Sequence, residues 1–484
     1  MDHGHTVCYC RFQRPKNSVK NKRIRSLDGK RIAVIGVAAS GKAAAHLALE
    51  RGGSVHVSDL RSDASAHACG DELRALGIEV DLGGHPMDRI AKADTVVVSP
   101  GIPPDAQVLK GLNDQGIRWI SEPEFAFRFF DGPLIVVTGT NGKTTTATLI
   151  THLLESYGYD VALGGNIGSV FGPAASELAL RKRSPDWYVV EMSSFQLSGI
   201  DLFRADIGVF TNLAPDHLDR YLSVEEYYSD KANLFINADE DSRWVINYDD
   251  PEVVKMATGV PGEVYNFSTK KTRVCGAYLD SKHLTLEMVP GDIEVLIPLG
   301  KLGLLGDHNV ENALAAATVA KLTGVSEDSI KCNLMNAQPL PHRTEQVAEG
   351  KGVRWINDSK ATNVAAARKA ISSFVDPLIV LLGGKDKGED FSPLISSLLS
   401  VEARVFAYGE AGPRIQKTLA DSLKVVLITS SFDVAFRTAS NAAKPGDIVL
   451  LSPACSSFDL FNSYEERGER FTELAVAFAT EDDD

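Results

Sequence analysis

Residues 138–145, Thr138-Gly139-Thr140-Asn141-Gly142-Lys143-Thr144-Thr145, join an apolar run to a helix-forming stretch. Small residues at such a turn let backbone N–H groups close around phosphate oxygens, and the following helix N-terminus adds positive potential. Lys143 is placed to reach β- and γ-phosphates, and the Thr144 hydroxyl to bind Mg²⁺. The full Walker pattern wants glycine where this chain has Val137, so GTNGKTT is a shorter variant. Glu191 closes the apolar run WYVVE, and Asn212 and Asp216-His217 follow the next such run. A carboxylate and an imidazole at successive strand ends, with Thr144 nearby, are the makings of a hard-cation site. Lys231, in Tyr227-Tyr228-Ser229-Asp230-Lys231, reads on its own as an exposed helix lysine paired with Asp230 or Glu226.

A second glycine turn, Gly36-Val37-Ala38-Ala39-Ser40-Gly41, follows RIAVI, and Asp59 ends the next apolar run. In a dehydrogenase this arrangement cradles a dinucleotide, but Ala38 replaces the middle glycine of that fingerprint.

These residues need elements to position them. Short apolar runs at 31–36, 55–59 and 95–101 alternate with helical stretches, as do runs at 134–139, 187–194, 206–213 and 244–250. A third series occupies 355–358, 378–384, 404–409, 425–429 and 447–454. Continuous apolar runs separated by helices predict parallel strands buried on both faces. The expected fold is α/β in three tandem domains. A Rossmann-like domain spans 29–122, a P-loop-type central ATPase domain 123–339 and a second Rossmann-like domain 340–484. Residues 260–298 read as a small antiparallel addition, and 309–323 as an Ala-rich helix. Ligands are expected between domains, at the carboxyl ends of strands.

Residues 1–28 form a basic extension expected to be disordered; it lacks the apolar core of a secretory signal. Asp2 and few serines argue against a transit peptide, so a cytoplasmic location is expected. Asp+Glu number 64 against Lys+Arg 50, a net charge of -14, which argues against nucleic acid or anionic membranes as partners. No apolar run approaches the ~20 residues of a membrane span. Six scattered cysteines fit reduced thiols better than a zinc site.

GTNGKTT, VVEMSSFQL, TNLAPDHLDRY, GDHNVENALAA, PHRTE, NDSKATN and LLSPACSSFDLFNSYEERG occur in this order between about residues 31 and 475. Together they resemble the Mur ligase family, and the last block resembles its D-glutamate-adding branch. The resemblance implies a monomeric, ATP- and Mg²⁺-dependent ligase of peptidoglycan synthesis that joins D-glutamate to UDP-N-acetylmuramoyl-L-alanine. It implies that Gly139, Thr140, Asn141, Gly142, Lys143, Thr144 and Thr145 hold the ATP phosphates. Asn309 and Asn312 would contact adenine, and Arg343 and Asp358 would close on the nucleotide, with Asp358 at the ribose. Thr144, Glu191, His217 and Lys231, the last as a CO₂-derived carbamate, would form the metal shells. Lys143, Lys231, His217 and Lys360 would be catalytic, with Lys360 near the transferring phosphate. Ser40, Gly41, Asp59, Arg61, Ser99, Gly101 and Asn166 would bind the UDP-substrate. Thr362, Lys387, Ser457 and Tyr464 would bind D-glutamate, with Lys385 an alternative for Lys387. The motif set leaves three rivals: a sister ligase or folylpolyglutamate synthase, a non-catalytic nucleotide-binding regulator, and a Rossmann oxidoreductase. SPACSSFDLF argues against the first, intact Lys143, Glu191, His217 and Lys231 against the second, and Ala38 with GTNGKTT against the third.

Overall fold

LIVVT, WYVVE and IGVF carry no polar alternation, and each is buried along its whole length. That is the pattern of parallel strands covered by helices on both faces. A computed structural model describes residues 25–167, 171–216, 220–272, 275–304, 306–428 and 431–481. It contains three sheets. The first comprises β1 (Arg31–Ile35), β2 (Ser54–Asp59), β3 (Glu79–Leu82), β4 (Thr95–Val98) and β5 (Trp119–Ser121), all parallel in the order β3-β2-β1-β4-β5.

The second sheet comprises β6 (Leu134–Thr138), β7 (Val161–Gly165), β8 (Trp187–Glu191), β9 (Ile207–Phe210), β10 (Arg243–Asn247), β11 (Glu263–Ser268), β12 (Gly276–Asp280), β13 (His283–Val289) and β14 (Asp292–Pro298). Its order is β14-β13-β12-β11-β10-β9-β6-β8-β7. The expected antiparallel addition is only partly so. β11 and β12 continue the parallel sheet, and only β13 and β14 run antiparallel.

The third sheet comprises β15 (Glu345–Gly350), β16 (Val353–Asn357), β17 (Leu378–Gly383), β18 (Arg404–Tyr408), β19 (Val425–Ile428) and β20 (Ile448–Leu451). Its order is β15-β16-β20-β17-β18-β19, parallel except for the antiparallel edge strand β15.

The chain forms two compact units, Met1–Gly300 with Glu311–Met335, and Lys301–Val310 with Asn336–Asp484. The first two sheets lie in the first unit and the third sheet in the second. Strand order reverses around β1 in the first sheet and around β6 in the second. At such switch points neighbouring loops diverge and leave a crevice at the strand carboxyl ends. Both glycine turns follow these two strands. No helix among the described residues is long and apolar enough to cross a membrane.

Candidate active site

The helix Lys143–Ser156 starts where the sequence places it, capped by Gly142 in the left-handed conformation at φ 83. A Cβ there would stand 2.5 Å from Asn312 Oδ1, so Asn312 closes directly over the loop. Asn312 also accepts from the Thr146 hydroxyl at 3.1 Å. Gly139, at φ 135, passes so close to Thr211 that a Cβ would lie 2.0 Å from its hydroxyl. The Lys143 ammonium donates to the Thr140 carbonyl at 2.8 Å, folding back over the turn.

Glu191 ends β8 beside this loop and is 2% exposed. Its carboxylate accepts from the Thr144 hydroxyl at 2.7 Å and from the Asn166 amide at 3.1 Å. The structure therefore joins Thr144, Glu191 and Asn166. A hydroxyl facing a buried carboxylate suits a Mg²⁺ ion that keeps few protein ligands and draws the rest from phosphate and water. No cluster of three His, Cys, Asp or Glu side chains able to hold a metal occurs among the described residues. His217 lies outside the described residues.

Lys231 corrects the sequence reading. It is 1% exposed and makes no ion pair with Asp230 or Glu226 among its described contacts. Its ammonium donates to the Gly139 carbonyl at 2.8 Å and sits 4.7 Å from the Tyr227 ring centre. Asp230 accepts instead from the Tyr221 hydroxyl. Burial first, then the nearby Lys143 charge, holds the Lys231 amine well below the ordinary lysine range, against the pull of Asp216, Glu191 and Asp230.

The other turn borders a cavity of about 1010 Å³ in the first unit, lined by Ser40, Asp59, Arg61, Ser99 and Gly101 among others. Gly41 packs behind it, where a Cβ would stand 1.9 Å from the Gly36 carbonyl. Asp59 accepts from the Val37 and Arg61 amides at 2.9 and 2.8 Å, fixing the turn's start. The buried Ser99 hydroxyl has no partner among the described residues. Sequence reasoning missed His85, Met87 and Gln107 on the same wall. Burial lowers the His85 pKa, and its Nδ1 lies 2.9 Å from the Ser58 hydroxyl. No residue spacing links these three to the turn, because the fold alone gathers them. Asn166 does not line this cavity.

In the second unit, the loops after the neighbouring strands β16, β20 and β17 meet at the strands' carboxyl ends. Asp358 accepts from the Thr344 amide at 3.2 Å and the Ser452 hydroxyl at 2.8 Å. Burial pushes its carboxyl up to about 7. Arg343 is flanked by His342 and Thr344, both left-handed at φ 62 and 49. Such angles are rare for a β-branched residue and mark a tightly specified turn. Asn309 lies in the short segment of this unit, next to His308, which is half-buried, its pKa pushed down to about 3 by desolvation and then by the Lys369 and Arg343 charges, and 3.4 Å from the Thr344 hydroxyl.

The Lys360 ammonium lies 3.8 Å over the Tyr464 ring. Lys387 stands 3.6 Å from Glu389, whose carboxylate accepts from the Val364 amide, placing it beside the Thr362 loop. Lys385 pairs instead with exposed Glu410 at 2.7 Å. Ser457 is buried. Arg467, missed inside the charged run YEERGER, is fully buried and donates to the Ser359, Cys455 and Ser456 carbonyls. It thereby ties the loops carrying Lys360 and Ser457 together.

Residues 30–121 match the Mur ligase MurD-like N-terminal domain, 137–320 the Mur ligase middle domain, and 342–455 the Mur ligase glutamate ligase domain. The chain belongs to the Mur ligase family. Among its relatives, the UDP-N-acetylmuramoylalanine–D-glutamate ligase of Acidobacterium capsulatum is 40% identical over 455 residues, covering 93% of this chain and 97% of the relative. The Geobacillus kaustophilus ligase of the same name is 39% identical over 453 residues, covering 93% and 98%. The fold is shared with a pseudomurein peptide ligase type C from Methanothermus fervidus, at TM-score 0.56, 22% identity and 88% and 97% coverage of this chain and that one. It is also shared with the MurF ligase from Thermotoga maritima in complex with ADP, at TM-score 0.57, 16% identity and 94% and 96% coverage.

Proposed function

We propose that this protein is an ATP-dependent ligase that joins D-glutamate to UDP-N-acetylmuramoyl-L-alanine in peptidoglycan precursor synthesis. The observation that carries the chemistry is the Lys143 turn at the switch point of the second sheet, with Thr144 against buried Glu191. Near-complete alignment with D-glutamate ligases supports the choice of acceptor.

The alanyl carboxylate attacks the γ-phosphorus of ATP, and ADP leaves. The D-glutamate amine then attacks the acyl carbon, and the tetrahedral intermediate collapses with loss of phosphate and of the amine proton. Mg²⁺ held by Thr144, Glu191 and His217 would neutralise phosphate charge. Lys143 supplies a cation to the transferring group, and the amides of the first helical turn, which have no intrahelical acceptors, face the phosphates. Asn309 and Asn312 take adenine, Arg343 and Asp358 the rest of the nucleoside, and Lys360 the phosphate in transit.

The cavity lined by Ser40, Asp59, Arg61, Ser99 and Gly101 takes the uridine diphosphate, with Gly41 at the turn and Asn166 toward the alanyl end. Thr362, Lys387, Ser457 and Tyr464 take the two carboxylates and the amine of D-glutamate. On this reading the three domains span 29–122, 123–339 and 340–484, and an ATP cosubstrate implies a cytoplasmic enzyme. Lys231 carries a carbamate, formed when its neutral amine adds to CO₂ and releases a proton. Its burial beside Lys143 disfavours the ammonium and so favours that addition.

Mass spectrometry of products from UDP-N-acetylmuramoyl-L-alanine, ATP and a panel of amino acids tests the reading. A single product heavier by one glutamyl residue, formed from the D-isomer, is expected. Comparable product from D-alanine or meso-diaminopimelate overturns the choice of acceptor.

A further inference from the structure

The phosphate turn lacks the first Walker glycine, and it is shaped from outside by the loop after β9. The Asn212 side chain clasps one peptide unit on each side of Asn141. Its Oδ1 accepts from the Asn141 N–H at 2.9 Å, and its Nδ2 donates to the Asn141 carbonyl at 3.0 Å. The Thr211 hydroxyl donates to the same carbonyl at 2.6 Å. The Asn212 carbonyl accepts from the Thr140 N–H at 2.8 Å. The clasping loop is itself anchored. Asn247 donates to the Thr211 carbonyl, and the Leu213 N–H donates to Asp250.

We infer that Asn212 is a positioning residue for ATP, setting which amides of the turn meet the phosphates. This rests on the reading of residues 138–145 as the phosphate loop. Two consecutive N–H groups, of Thr140 and Asn141, are bonded to residue 212 and are therefore taken up before any phosphate could reach them. The phosphate-facing amides therefore begin at Gly142, at the N-terminus of the helix, where the dipole is strongest. The Thr140 carbonyl, held in place by this clasp, is the acceptor for the Lys143 ammonium. One side-chain amide thus fixes both the amide nest and the starting position of the lysine. The turn is also tied to the loop leading to Asp216, since the Thr140 hydroxyl accepts from the Ala214 N–H at 3.0 Å.

Steady-state kinetics of the full-length enzyme test the role. Asn212→Ala is expected to raise KM for ATP tenfold or more and to weaken Mg·ADP binding in parallel by calorimetry. KM for the UDP-substrate and for D-glutamate should stay within twofold, and circular dichroism should be unchanged. An ATP KM within twofold of wild type in a folded variant overturns the inference, as does an equal rise in all three KM values. If Asn212→Ala does not fold, Thr211→Val, which removes one bond to the same carbonyl, is expected to raise the ATP KM two- to fivefold, and no rise overturns the inference. Wild-type enzyme that turns over without ATP would instead count against the phosphate-loop reading itself.

Discussion

The two glycine turns of the first unit begin alike and end differently. Each follows the strand at a switch point, and each packs a glycine where no Cβ fits. The turn after β1 is pinned by a carboxylate, Asp59, through the Val37 amide. Its lysine, Lys42, is turned outward to Glu72 and brings no cation inward. The turn after β6 is pinned by neutral amide and hydroxyl groups, and its lysine folds back over the loop. The first is suited to hold a diphosphate whose charge does not change during reaction. The second suits a phosphoryl group whose charge redistributes in the transition state, where a fixed cation contributes most. On the proposed reading, the same local fold separates binding from chemistry by where one lysine points.

Exchanging these properties should produce separable defects. Lys143→Ala removes the inward cation from the second turn, and kcat should fall by about 10²- to 10³-fold. Binding of the UDP-substrate, measured by calorimetry, should not change. Near-normal turnover by the folded variant would mean that the two turns do not differ in the proposed way.

Lys231 belongs to the second turn through its bond to Gly139. Lys231→Ala should lose most activity and recover part of it with added short-chain carboxylates, which can supply the missing oxygens. Full activity without any additive would show that no carbamate is needed. The first turn should respond to neither treatment, so UDP-substrate affinity serves as the internal control in both.

The smallest effect belongs to the first turn. Gly41→Ala forces a methyl group against the Gly36 carbonyl, and the strain costs about 1–3 kcal/mol. KM for the UDP-substrate should rise by about tenfold, 1.4 kcal/mol being a factor of ten, while the ATP KM stays level. A matched rise in both would show that the turns are coupled rather than separate.

Much of this was legible in the residues. The buried strands announced themselves as apolar runs, and the helix Lys143–Ser156 followed from its glycine turn. Glu191 was legible because a charge at the end of WYVVE can only sit at the strand's rim. β15 was not, since EQVAEG has neither apolar alternation nor a continuous apolar run, and it is an edge strand held by backbone pairing to β16. Taken alone, the segment VEEYYSDKA suggests an exposed Lys231, because it is charged on most of its surface; only the motif resemblance points to a site residue. Its burial comes from Tyr227 one turn earlier and from the phosphate turn, which lies far away in sequence. The clasp by Asn212 and the clamp by Arg467 were invisible for the same reason. Apart from the Ser359 hydroxyl, which accepts from Arg467, their partners are backbone carbonyls and amides, which leave no mark on residue type.

The division of the chain into units constrains how such enzymes could be recombined. The unit bearing the third sheet is built from two stretches, Lys301–Val310 and Asn336–Asp484, and the first of these supplies His308, half-buried beside Thr344. A chimaera spliced only at residue 336 would graft a foreign acceptor module onto the host's own His308 segment. Any exchange of acceptor modules between sister ligases must therefore transplant a ten-residue cassette as well, or find donors whose histidine pocket already matches. Exchange of this unit between parents therefore requires compatibility at three joints, after Gly300, Val310 and Met335.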